Sequence, residues 1–401
     1  MKILFVCPYV PTVTKRRPLN FVLHLAQRHE LHLRVVAPPV EMRWTFGSAR
    51  AVEQLRAACV SIESLPVSLP RLLAGGAWRY ARGEALRTAY THAHDGFVSQ
   101  LNRQSDALGI DVVHVDRLRL ARLAAGIRRP VVLDLPDCMS WAAEQRAALG
   151  RGARALFYRL EARRLRSFEG GTLNAVPTAL AASAEDGRRV RAAGYRGLTV
   201  HVPGIIELDG EGGGADEPLP HPALVFHGSL SFPPNVDAMM TFTRQTFPLL
   251  RARFRGLQLY IVGAAPSLAV RALARLEGVR VAADVERIGP WLRAATAVIA
   301  PMRIGGGHSQ KVCEALLLGR PVLCSPRAAE CVAPEVRPSL LVASSAQEWV
   351  QQVERVLHDP TGVAAMAERG AETIARLHAA EAVLPVLFDA YRRSGVCPAA
   401  A

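Results

Sequence analysis

Short apolar runs rich in β-branched residues alternate along the chain with longer Ala-, Leu- and Arg-rich stretches of helical period. The runs predict strands at Ile3–Cys7, Leu31–Ala37, Val112–Val115, Val131–Leu135, Ala175–Pro177 and Leu198–Val202. A second series covers Ala223–His227, Leu257–Val262, Val279–Val281, Ala297–Ala300, Pro321–Cys324 and Leu340–Val342. Helical patterns fill most intervals, among them Pro18–Gln27, Asn235–Arg253 and Ser309–Leu318. Such alternation predicts parallel sheets wrapped by helices, the doubly wound α/β class.

The two series are separated by Glu207–Pro222, which is rich in glycine and proline, acidic, and without periodicity. It reads as a linker. The predicted organisation is a Rossmann-like domain over 1–205, a linker over 206–222, a second Rossmann-like domain over 223–375, and a tail over 376–401. The last apolar helical pattern, Ala380–Tyr391, follows the final strand and could pack on either domain. Open α/β sheets bind ligands at the carboxyl ends of their strands, so two such domains facing each other would place both edges around one cleft.

Composition narrows the reading. The chain has 401 residues and a formal net charge of +14. Lysine occurs only at Lys2, Lys15 and Lys311, so arginine supplies nearly all the positive charge. The excess is spread along the chain, and aromatic residues make up only 6%. Both facts argue against nucleic-acid binding, which needs a concentrated basic face with aromatic platforms. One cluster stands out: Arg151, Arg154, Arg159, Arg163, Arg164 and Arg166 are interleaved with Leu149, Leu156, Phe157, Leu160, Leu165 and Phe168. It predicts an amphipathic helix with a basic polar face, an ordinary domain helix or one that touches an anionic membrane.

No apolar run approaches the roughly 18–20 residues that span a bilayer. The four apolar residues before Cys7 are too few for a signal-peptide core. The expected location is cytoplasmic, with peripheral contact at the inner membrane face as an option. The seven cysteines contain no Cys-x-x-Cys pair, so they suggest neither a disulfide framework nor a zinc site.

Chemistry concentrates in Ala300–Leu316. A buried strand ends at Ala300, and Gly305, Gly306 and Gly307 follow. Glycines let a backbone adopt positive φ and approach a ligand closely. A helix then begins near Ser309, offering N–H groups and a positive dipole end to anionic oxygens. Lys311 sits in its first turn, and Glu314 lies three residues on, on the same face. A carboxylate next to a phosphate site fits ribose hydroxyls, as in dinucleotide sites. These residues describe a nucleotide-diphosphate site; the competing reading is a tight strand-helix turn with a surface ion pair.

The segment Gly305–Ala315, followed by Leu318-Gly319-Arg320-Pro321-Val322, resembles the donor signature of family 4 retaining glycosyltransferases of the GT-B fold. It is closest to the glycine-rich branch of that family and resembles the exopolysaccharide and exosortase-associated sugar transferases. Weaker matches include Lys2–Val6, Asp111–His114, Arg159-Leu160-Glu161, Phe226–Leu230, Pro234–Ala238 and Tyr260–Gly263, so the resemblance covers about residues 1–390.

The resemblance implies transfer of a sugar from a UDP- or GDP-linked donor, with retention, without a metal and without a further cofactor. The acceptor would be a glycan, a lipid-linked saccharide or a small molecule. By position, Glu314 would bind ribose and Lys311 the diphosphate. Gly228, Arg303, Gly305, Gly306, Gly307 and His308 would line the donor. Asp137, then Asp134, would stabilise the transition state or orient the acceptor hydroxyl, and each could instead cap a helix or end a strand. Lys15 and Arg17, in the first loop, fall on the acceptor side, and the acceptor pocket would lie in N-terminal loops such as Trp44–Ala51 and Ser68–Tyr80.

The sequence also departs from the family pattern. Gly306 stands where the family often has a glutamate. The usual Arg/Lys pair is missing from Gly228–Pro234, which puts weight on Lys311 and Arg303. The alternatives are a catalytically inactive glycosyltransferase-like scaffold, and a sugar-nucleotide epimerase or phosphorylase of the same architecture.

Overall fold

The computed structural model describes residues 1–37, 48–90, 96–208 and 219–396. The chain divides into two compact units, one made of residues 1–205 plus the segment from Ala380 on, the other of Ile206–Ala379.

The first unit holds a seven-stranded parallel sheet: β1 (Lys2–Cys7), β2 (Glu30–Ala37), β3 (Ser61–Pro66), β4 (Val112–Asp116), β5 (Val131–Leu135), β6 (Thr178–Ala181) and β7 (Leu198–His201), in the order β3-β2-β1-β4-β5-β6-β7. Helices cover both faces, which is why β1 reads as an unbroken apolar run. Its side chains alternate between two cores. Leu4 and Val6 join Val113, Val115 and Leu133 on one face. Ile3, Phe5 and Cys7 join Val112, Val132 and Leu180 on the other. The helix Ala380–Arg393 packs into this second core through Val383, Leu384, Leu387 and Tyr391.

The second unit carries a six-stranded parallel sheet: β8 (Ala223–His227), β9 (Gln258–Gly263), β10 (Val279–Ala283), β11 (Ala297–Ala300), β12 (Val322–Cys324) and β13 (Leu341–Val342), ordered β10-β9-β8-β11-β12-β13. Ile206 and Leu219, both within the linker expected over 206–222, are instead buried in this unit's core. Residues 209–218 of that linker lie outside the described residues.

Four expectations need correction. Strand β3 went unforeseen because it is an edge strand with alternating exposure, so its sequence Ser-Ile-Glu-Ser-Leu-Pro is half polar. The strand expected at Ala175–Pro177 begins at Thr178, because Thr172–Ala175 forms a 3₁₀ turn and Pro177 has no N–H for the ladder. The helix expected over Asn235–Arg253 is two helices, Pro233–Gln245 and Phe247–Arg253, with Pro248 opening the second. Ser68–Tyr80, expected as an acceptor loop, is mostly the helix Leu69–Ala81, whose alanines and leucines outweigh Gly75 and Gly76. Of the other expected acceptor loop, Trp44–Ala51, residues 44–47 lie outside the described residues and the rest opens the helix Ser48–Ala58.

A fifth correction concerns the basic helix, Gly152–Gly170. Leu165 and Phe168 are buried, but Leu156 and Leu160 are 67% and 41% exposed. Leu156, Arg159, Leu160 and Arg163 share one face at i, i+3, i+4 and i+7, so leucines and arginines are mixed on the outer surface rather than segregated.

Candidate functional site

In the second unit the candidate residues gather at the carboxyl ends of β8 and β11. The chain leaves β11 through Pro301–Ser309 and enters the helix Gln310–Leu317. Gly305 and Gly307 take φ of 150° and 73°, a region that side chains resist. Space around Gly305 is open, so this glycine serves the conformation rather than a crowded contact.

The Lys311 side chain runs back toward β8. Its Nζ donates to Asn235 Oδ1 at 2.6 Å, reaches Met302 Sδ at 3.5 Å, and lies 4.2 Å from the centre of the Phe226 ring. Asn235 Nδ2 donates to the Ser229 carbonyl, which fixes the amide so that its oxygen meets the lysine. Gly228, with φ of 140°, completes the wall: a Cβ there would come 3.0 Å from Asn235 Nδ2 and 3.8 Å from Lys311 Nζ. Burial pulls the Lys311 ammonium down to about 7, and the nearby Glu314 carboxylate only partly offsets this. A cation so placed gains most from an incoming anion.

Glu314 is buried, with Oε2 3.6 Å from His227 Nδ1. The other His227 nitrogen meets the Lys311 carbonyl at 3.2 Å and must donate to it. Arg303 points elsewhere, toward the helix Pro233–Gln245, where it donates to Thr241 at 2.8 Å and approaches Asp237 at 3.7 Å. His308 lies 3.1 Å from the Cys313 sulfur through Nε2 and packs against the His378 ring at 4.5 Å. His308, Cys313 and His378 are the one group among the described residues whose ligand atoms cluster tightly enough to hold a metal, all within 4.8 Å. Sequence spacing could not show this, because His378 arrives from a distant helix.

In the first unit the candidates lie at the carboxyl ends of β1, β4 and β5. Arg17, in the first turn of the helix Arg16–Ala26, grips Asp134 at both oxygens, at 2.8 and 2.9 Å. Burial alone would raise the Asp134 carboxyl, but Arg17 and His114 outweigh it and hold it at about 2. This buried ion pair joins a predicted acceptor-side residue to a predicted catalytic one. Asp137 is different: it is partly exposed, and its nearest cation is Arg117 at 3.9 Å.

Arg117 holds φ of 79°, a strained value for a side-chain-bearing residue that costs on the order of 1–3 kcal/mol. That conformation lets its Nε donate to the Tyr9 hydroxyl at 2.7 Å, while the hydroxyl donates to buried Asp116, also at 2.7 Å. Lys15, Arg117 and Arg119 surround the Tyr9 ring at 5.3, 5.9 and 6.0 Å. Desolvation first, then Arg119, pushes the Arg87 guanidinium below its usual range, with Asp137 opposing and Arg146 and Arg117 adding to the shift. Lys15, Arg87, Arg117, Arg119 and Arg146 thus gather around Tyr9, Asp116 and Asp137, beside the Arg17–Asp134 pair and Asp186.

Residues 221–359 match a protein family described as Glycosyl transferases group 1. Over these residues, about a third of the chain, the sequence is similar to the group 1 glycosyltransferases. No curated protein sequence matches the chain. Among solved structures, Anabaena HepE in complex with UDP and glucose aligns over 98% of this chain and 99% of that one, with a TM-score of 0.64 and 13% identity. Sucrose-phosphate synthase from Thermosynechococcus elongatus aligns over 98% and 99%, at 0.68 and 14%. An α,α-trehalose-phosphate synthase (UDP-forming) from Burkholderia vietnamiensis aligns over 98% and 100%, at 0.61 and 10%. At these identities the likeness shows the fold, which is GT-B.

The sequence alone gave no role to Asn235, Phe226, Met302 or His227, although they form the surroundings of Lys311. Asn235 did carry a signal, standing in Pro234–Ala238. Tyr9, Asp116 and Arg117 were also missed. A tyrosine after the first strand means little until the fold sets Arg117 and Arg119, from the turn after β4, against it.

Proposed function

We propose that the second unit binds a nucleotide-diphosphate sugar, that the first unit holds the acceptor, and that the sugar is transferred with retention. The observation that carries this reading is Lys311: a desolvated ammonium behind a positive-φ glycine loop, held against Gly228 by Asn235 and Phe226. Such a cation is poised for a diphosphate, whose charge restores what burial removes. Glu314, on the same helix, is the group proposed to accept from ribose hydroxyls, with His227 behind it.

On the acceptor side we assign Asp137 as the carboxylate that orients the attacking hydroxyl or stabilises positive charge at the anomeric carbon. Asp134 is the weaker candidate, since both of its oxygens are committed to Arg17. Arg117 and Arg87 beside Asp137, with Lys15 and Arg119 around Tyr9, favour an acceptor that carries a phosphate or carboxylate group.

Thermal shift with UDP and with GDP tests the donor site. Binding stabilises the protein by about 2.7 kcal/mol at roughly a hundredfold excess over Kd. The absence of a shift with either nucleotide overturns the reading. A non-catalytic scaffold would show the shift yet never consume a nucleotide sugar, which mass spectrometry of UDP- and GDP-sugars with a phosphorylated and a neutral acceptor resolves.

A further inference from the structure

Two helices of the first unit present an unusual surface to solvent. The helix Leu69–Ala81 exposes Leu69, Leu73 and Trp78 at 44%, 52% and 58%, with Pro70, Ala74 and Ala77 exposed between them. Its outward face is almost wholly apolar. The helix Gly152–Gly170 exposes Leu156 and Leu160 among Arg159 and Arg163.

The two faces adjoin. Arg164 stacks on the Tyr80 ring at 4.7 Å and donates to the Glu84 carbonyl at 3.3 Å. Tyr80 follows Leu73 by seven residues and Arg164 follows Leu160 by four, so the stack joins the helices along the edges that carry those leucines. An apolar patch of this kind, rimmed by polar groups, marks a contact surface.

Charge identifies the partner. Neither helix exposes an acid. Glu161 and Glu169 are their only acidic residues, both buried; Glu161 accepts from Leu86 N at 2.9 Å and Glu169 from Met139 N at 2.9 Å. The rim instead carries Arg71, Arg82, Arg159 and Arg163, all exposed, with Arg82 lying over the Trp78 ring at 4.6 Å. Two copies joined through this face would set arginines against arginines. An anionic lipid surface meets both needs: headgroups for the arginines, acyl chains for the leucines, and the boundary between them for Trp78. None of the described helices is long and apolar enough to cross a membrane, so the contact is superficial.

We infer that the face formed by Leu69–Ala81 and Gly152–Gly170 docks on anionic membranes. The inference rests on the first unit's surface alone, so failure of the nucleotide test above leaves it standing.

Sedimentation of the full chain with phosphatidylcholine vesicles, with and without phosphatidylglycerol, tests it. Binding to the anionic vesicles is expected to be roughly tenfold or more the stronger, from about 1 kcal/mol per arginine at the surface. Leu73→Ser with Trp78→Ser and Leu156→Ser should abolish binding while leaving the circular dichroism spectrum unchanged; these side chains are exposed, so the fold does not need them. Arg159→Gln with Arg163→Gln should remove most of the preference for phosphatidylglycerol. No sedimentation, equal sedimentation of the triple variant, or a concentration-dependent dimer that the triple substitution dissolves without any vesicle binding would each overturn the inference.

Discussion

At the scale of single residues, Lys311 makes the sharpest prediction. The free ammonium titrates near 7, pulled down by burial, while a bound diphosphate holds it charged. The complex therefore carries more protons than the free protein above that pH, and nucleotide binding takes protons up. UDP affinity should weaken by up to about tenfold per pH unit above about 7.5, where the free lysine has lost its charge and the nucleotide has not changed its own. Calorimetry at pH 8 in buffers of different ionisation enthalpy checks the uptake, and pH-independent binding would remove Lys311 from the diphosphate.

The two aspartates separate by a different measurement. Asp134→Ala leaves Arg17 buried and unpaired, and should cost about 3–5 kcal/mol in denaturant unfolding. Because the folded Asp134 carboxyl is held at about 2, its contribution is present above the ordinary carboxylate range and is lost as pH falls toward 2. Asp137→Asn should leave stability and UDP affinity near the parent values and lower turnover about a hundredfold or more. Unchanged turnover would withdraw Asp137 from the reaction.

At the scale of elements, the turns leaving the strands decide where ligands can approach. Gly228 ends β8 and Gly263 ends β9, and a Cβ on Gly263 would fall 1.9 Å from the Gly228 carbonyl oxygen. Gly305 has the same φ of 150° but open space around it. Gly263→Ala should therefore cost well over 1 kcal/mol, from strain and collision together, and distort the Gly228 turn. Gly305→Ala should cost less stability and act mainly on nucleotide affinity. Urea unfolding beside UDP titration separates the two, and equal stability losses would contradict the difference in crowding.

Elements also show what a sequence conceals. The glycine loop and its helix were legible because their chemistry lies within fifteen consecutive residues. Strand β3 was not, because an edge strand need not be apolar on both faces. The basic helix was misread because the sequence gives its period but not which neighbour covers which face. Leu165 found the sheet and Leu156 found solvent.

At the scale of the whole molecule, the chain crosses back on itself in one respect that length and linkers did not settle. The segment from Ala380 belongs to the first unit, where Tyr391 is fully buried and its hydroxyl lies 2.9 Å from His114 Nδ1. Truncation after Ala379 should open the first unit, raising hydrogen exchange in β1 and β4, while β8 and β11 of the second unit remain protected and UDP still binds. Equal loss in both units would show that they do not fold separately. The net charge of +14 likewise gains meaning only when mapped: part of it gathers around Tyr9 and part rims the helices Leu69–Ala81 and Gly152–Gly170.

The sequence by itself determined the α/β class, nearly every strand, and the Gly305–Glu314 constellation with its lone lysine. Local spacing suffices there, because a strand, a turn and the first helical turn lie along a few nanometres of continuous chain. Only the tertiary structure decided that Asp134 is held by Arg17, that Asn235 and Phe226 receive Lys311, and that leucines face outward among arginines. Each of those contacts joins segments brought together by sheet order, and burial, which sets both pKa and exposure, is a property of the assembled fold.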